Sequence, residues 1–186
     1  MTTLPTEILE DEHRLIIRVV NALSIFAQSM EEGWDVEEET FNELIEFMRI
    51  FAEKWHHAKE EDVLFPLLIA RGVPATGCPL AHLTMEHKKA NNFVADIVKS
   101  LEAYRKGDVD ARNAVIQGLR NLSAYYINHI WNEDNMLFPM ANRFLRKEDQ
   151  QVLLKEFARI DERRGKTLHD QLEDFARRIE EETIGA

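Results

Sequence analysis

The chain has 186 residues, 45% hydrophobic and 31% charged, which is enough to bury one core of ordinary size. Its 34 acidic and 23 basic side chains give a net charge of −11, which argues against charge-driven attachment to nucleic acid or anionic membranes and favours cations as partners. The N-terminus lacks a secretory pattern, no apolar run approaches the ~20 residues of a bilayer-spanning helix, and the single Cys78 cannot pair within the chain, so the expectation is one cytoplasmic domain over residues 1–186 with no membrane partner.

Helical periodicity runs through the sequence and strand-like alternation is missing. The first predicted helix starts near Thr6, after Pro5, and reaches about Met30 with Leu9, Ile16, Ile17, Val20 and Leu23 on one face. Asp35 is placed to cap a second helix that extends to about Arg71, with Glu37, Glu38 and Glu39 at its positive end. The segment "RGVPATGCP" then breaks the chain, with Cys78 expected as a buried or partly exposed thiol. Pro79 opens a third helix that ends near Lys106, before Gly107. Asp108 caps a fourth, which reaches about Leu145. A fifth segment, about Glu148 to Glu182, spaces Leu154, Phe157, Ile160, Leu168, Leu172, Phe175 and Ile179 helically, with a candidate break at Gly165.

The predicted fold class is all-α: an up-down-up-down four-helix bundle over about residues 6–145 and a C-terminal helical extension over about 148–183. The extension covers the bundle or pairs with another chain, giving a monomer or a homodimer.

The stretch "KWHHAKEEDVLFPL" returns as "INHIWNEDNMLFPM". Aligning the copies on "LFP" matches Glu60 with Glu133 and His56 with His129, whereas His57 falls on Ile130 and Glu61 on Asp134. Upstream, "DEHRL" and "MEHKK" place His13 and His87 at nearly matching distances. The chain thus reads as two helix hairpins, each with one histidine followed by one His-x-x-x-Glu.

Helix faces give the same division, since residues four and seven or eight apart share a stripe. His56 lies with Met48, Ala52, Val63 and Leu64; His129 with Leu122, Tyr125, Met136 and Leu137; His13 with Leu9 and Ile17; His87 with Leu80, Leu83 and Val94. His57 and His169 fall off these faces and are expected in solvent, as is His82. Pro66 and Pro139 each predict a kink one turn beyond a glutamate, although a helix end near Pro66 fits equally.

Four imidazoles and two carboxylates on apolar stripes need a compensating charge, because burying an unpaired carboxylate costs several kcal/mol. His13, His56, Glu60, His87, His129 and Glu133 suit two metal ions bridged by two carboxylates, and the mixed donors favour iron, with manganese or zinc behind it.

The order His, HxxxE, His, HxxxE, with "EEDVLFP" and "EDNMLFP", resembles the hemerythrin-like, or HHE cation-binding, family over about residues 9–145. That resemblance implies a bundle with a di-iron centre, His13, His56, His87 and His129 as terminal ligands, and Glu60 and Glu133 as bridges. It also implies binding or sensing of O2, nitric oxide or peroxide, or iron handling; a di-iron enzyme reducing peroxide or nitric oxide and a metal-free scaffold are the alternatives. The sequence departs from the oxygen carriers, since Leu83 stands where they place a third-helix histidine. Carriers also take their second bridge from an aspartate, and Asp134 has that spacing. With no third imidazole at either iron, both are expected to keep an open position, in a pocket lined by Tyr125, Met48, Met136, Leu64 and Leu137. Replacing His57 or Glu61 is expected to leave metal stoichiometry intact.

Overall fold

The computed structural model describes residues 3–184, and among these every regular element is helical, as predicted. Helix α1 is Pro5–Glu31, opened by Pro5 in the first turn, where its missing N–H costs nothing. Helix α2 spans residues 38–70 and changes pitch along its length: α-helix Glu38–Phe47, π-helix Met48–His56, an α turn His57–Lys59, π-helix Glu60–Leu64 and α-helix Phe65–Ala70. Helix α3 is Leu80–Arg105. Helix α4 covers residues 109–144, with a π segment Glu133–Leu137 between Val109–Asn132 and Phe138–Phe144. Helix α5 is Lys147–Arg164 and α6 is Lys166–Ile184, divided at Gly165, whose φ of 93° suits a residue without a Cβ.

Two end-of-helix expectations fare differently. Asp108 caps α4 by accepting from the amides of Asp110 and Ala111. Asp35 does not cap α2: Glu37 holds that position without a side-chain bond, while Asp35 accepts from the Tyr104 hydroxyl at 2.8 Å and from Arg112 at 3.3 Å. It braces α2's entry against α3 and α4 instead. Cys78 is exposed in the connection before α3.

Hydrogen bonds show the direction of neighbouring helices. Along α1 and α4 they join Thr6 to Asn142, His13 to Asp134 and Ser24 to Ser123, so the two run antiparallel. Glu61 with His87 and Asn42 with Arg105 show the same for α2 and α3. Helices α3 and α4 approach so closely that a Cβ on Gly118 would lie 2.6 Å from Ile97 Cγ1.

The apolar interior is in two parts. The larger cluster includes Val20, Leu23, Phe47, Phe51, Val94, Leu119, Leu122 and Tyr126, joined by Leu172, Phe175, Ala176 and Ile179 of α6. The smaller gathers Leu9, Leu64, Phe65, Leu83, Leu137, Phe138 and Phe157. Between them lies a layer of buried histidines and glutamates. The apolar face of α6, expected either to cover the bundle or to meet another chain, rests on the chain's own core.

Candidate metal centre

All six side chains singled out by the repeat converge in this layer, and each is buried. His13 and His129 bring Nε2 to 3.2 Å from the Glu133 carboxylate. His87 Nε2 lies 3.5 Å from both Glu60 and Glu133, and His56 Nε2 lies 3.7 Å from Glu60. None of these four Nε2 atoms, and none of the four carboxylate oxygens, has a hydrogen-bond partner. Buried polar atoms are ordinarily paired, so such a concentration of lone pairs facing one another marks a place for cations.

The opposite ring nitrogens are all tethered. The Nδ1–H of His56 donates to Glu12 at 2.9 Å, that of His87 to Glu61 at 2.5 Å, that of His129 to Glu86 at 2.9 Å and that of His13 to Asp134 at 2.7 Å. These contacts form a closed circuit: α1 supplies α2, α2 supplies α3, α3 supplies α4, and α4 returns to α1. A carboxylate on Nδ1 fixes the tautomer that leaves Nε2 free to bind a metal, and makes that nitrogen a stronger donor. Asp134 is therefore turned to His13 and Glu133 inward; Glu61 repeats the arrangement on His87.

The π segments account for the repeated "LFP". A proline lacks an N–H and its ring crowds the carbonyl four residues earlier. In both copies the preceding turn widens, with the amides of Phe65 and Phe138 reaching back five residues to Glu60 and Glu133. The two phenylalanines then floor the layer: Phe138 stacks on His13 with centroids 5.3 Å apart, and Phe65 on His87 at 6.2 Å.

Several sequence expectations need correction or completion. His57, expected in solvent, is only 4% exposed and stacks on His87 with ring centroids 3.7 Å apart. The reason is the π-helix Met48–His56: the His57 amide bonds to Ala52, five residues back, so His57 stands over a fully buried position that α-helical spacing assigns to His56. Met136, expected in the lining, is 60% exposed because the π turn in α4 shifts the stripe in the same way. Glu12 and Lys59 were not singled out, yet both are buried, and Lys59 bonds to Glu12 as well as to Asp161 of α5, at 2.7 Å from the latter. His82 is 57% exposed, as expected; His169, expected in solvent, is instead half-buried edge-on against Trp55, away from the layer.

Charge in the layer is unevenly divided. Burial and the neighbouring Glu133 push Glu60 well above the usual carboxylate range. Burial pushes Glu133 the same way, but His129, His13 and His87 overcome it and hold that carboxyl well below the range. Burial lowers His13 and His87, yet contacts to Asp134 and Glu133, and to Glu133 and Glu61, outweigh it and raise each to about 10. Burial and the nearby His13 leave His56 lowered to about 4. Without a cation, then, the layer balances itself with protons.

The pattern of the hemerythrin HHE cation binding domain matches residues 4–141. The chain belongs to that family. This HHE domain is also similar to a probable iron-sulfur cluster repair protein of Haemophilus influenzae, 32% identical over 95 residues. That match covers 49% of the chain and 42% of the relative, less than half of either. No helix among the described residues is long and apolar enough to cross a membrane.

Proposed function

We propose that this chain is a non-haem di-iron protein acting on small molecules of the O2, nitric oxide and peroxide class. The observation that carries the reading is the set of eight unpartnered lone-pair atoms on His13, His56, His87, His129, Glu60 and Glu133. These six residues would hold the ions, with Glu60 and Glu133 shared between them. Nitrogen and carboxylate donors together, with no thiolate, suit iron better than a structural zinc or a calcium ion. Iron held there supplies reversible one-electron exchange and a coordination position for a small ligand.

The protein's own part is to orient and to exclude. Glu12, Glu61, Glu86 and Asp134 hold the imidazoles in their binding tautomer. Leu64, Phe65, Leu137 and Phe138 close one side of the layer to water. Surface clefts of about 340 and 420 Å³ border it, the first at His57 and His87 and the second at His13 and Asp134. Both are large enough to hold molecules of a few atoms beside the layer.

Elemental analysis of protein produced with iron tests the reading, with two iron atoms per chain as the expected result. One zinc per chain, or no metal after anaerobic reconstitution with ferrous iron, overturns it. Delivery of iron in cluster repair is a second reading, favoured by the Haemophilus relative. Transfer of ferrous iron from the loaded protein to an apo iron-sulfur acceptor, faster than release to buffer, distinguishes it.

A further inference from the structure

His57 is the one buried histidine of the layer to which the repeat gives no role. Both its ring nitrogens lack a hydrogen-bond partner, whereas each of the other four rings has a carboxylate on Nδ1. A buried imidazole left unpaired on both sides is costly unless something else takes its lone pair.

The surroundings indicate what takes it. His57, His87 and His129 each place a ring nitrogen so that the three lie within 4.8 Å of one another; His13, His56, Glu60 and Glu133 form a second group by the same measure. The His57 ring is parallel to His87, at 9°, and edge-on to His129 at 5.7 Å. Leu83, which leaves α3 without a second inward histidine, lies in the smaller apolar cluster, and His82 of α3 is exposed, so α3 supplies only His87 to this group. The vacancy left on α3 is met from α2 by the extra residue of a π turn.

We infer that His57 is a third histidine ligand of the ion held by His87 and His129, so that the two ions have unequal donor sets. The inference rests on the two-metal reading above. One ion then has three imidazoles and a share of both carboxylates, while the other has two imidazoles and the same shared pair. A small molecule therefore binds at the ion beside His13 and His56, and the expectation of two equally open ions is replaced by one open and one filled.

Two measurements test this. In crystals of iron-loaded protein, anomalous diffraction at the iron edge is expected to place a His57 ring nitrogen about 2.1 Å from one iron, a normal metal to imidazole distance. A His57 ring more than about 3 Å from both irons overturns the inference. In solution, ferrous titration of the metal-free protein against a competing chelator gives two affinities. His57→Gln is expected to weaken one of them at least tenfold and to leave the other within a factor of two, on the order of known effects at metal sites. Two unchanged affinities overturn the inference while leaving the two-iron reading in place; failure of the wild-type chain to bind iron at all removes both. Should His57→Gln not fold, the diffraction result on the wild-type protein decides.

Discussion

At the scale of single residues, the metal-free layer stores protons where the loaded one would hold cations. His13 and His87, raised from 6.5 to about 10, stabilise the metal-free fold fully below about pH 6.5, and that contribution is lost as pH rises through 10. His56, lowered to about 4, acts in the opposite sense: its contribution is present above pH 6.5 and is lost as pH falls toward 4. A metal must displace the protons on His13 and His87 and any proton on the raised Glu60, so uptake at pH 7 is expected to release at least about two protons per chain and to tighten as pH rises. Calorimetry in buffers of different ionisation heat measures that release, and binding without proton release would contradict this charge distribution. The inward orientation of His13, His56, His87 and His129 was legible because two aligned copies and the apolar stripes agree. Glu12 and Glu86 were not read, although each directly precedes a repeated histidine. Face arithmetic sends adjacent residues to different sides, whereas a long glutamate reaches across to the next helix.

At the scale of helices, the positions of α1, α3 and the Gly165 break were legible from caps, glycines and periodicity. The π segments were not, since a stripe drawn at one fixed pitch cannot register a turn that gains a residue. His57 and Met136 were both misplaced for that reason. Gly118 shows a further limit of local reading: glycine within a helix costs roughly 1 kcal/mol relative to alanine, yet here it permits the approach of α3 to α4. Gly118→Ala brings a Cβ to 2.6 Å from Ile97 Cγ1, near the base of a branched side chain with little freedom to move. Overpacking of about 1–3 kcal/mol exceeds the propensity gain, so a net loss of about 1 kcal/mol is expected. Urea denaturation checks it; a more stable variant would mean that the helices separate without cost.

At the scale of the whole molecule, α5 is wired to the centre. Asp161 accepts from the Trp55 indole at 2.6 Å and pairs with Lys59, Lys59 pairs with Glu12, and Glu12 holds His56. Removing the ammonium in Lys59→Met leaves Glu12 buried beside an imidazole alone, and a loss of about 3 kcal/mol in metal-free stability is expected. Asp161→Asn, at a half-exposed position, is expected to cost less than about 1 kcal/mol. Equilibrium denaturation of both variants tests the ranking, and equal losses would show that the buried ammonium has no special part. The extension's helicity was legible in its sequence, but its link to the site was not, because Lys59 and Asp161 lie 102 positions apart and carry no repeat between them.

The circuit of carboxylate to imidazole contacts makes the bundle resemble a cask drawn tight by a hoop. Each helix is both gripped and gripping, so the staves hold their curve before anything is poured in. Small zinc domains collapse when their ion leaves, because the ion is the only thing that gathers the ligands. Here neighbouring carboxylates gather the ligands, so the vessel is expected to keep its shape when drained and to be refillable.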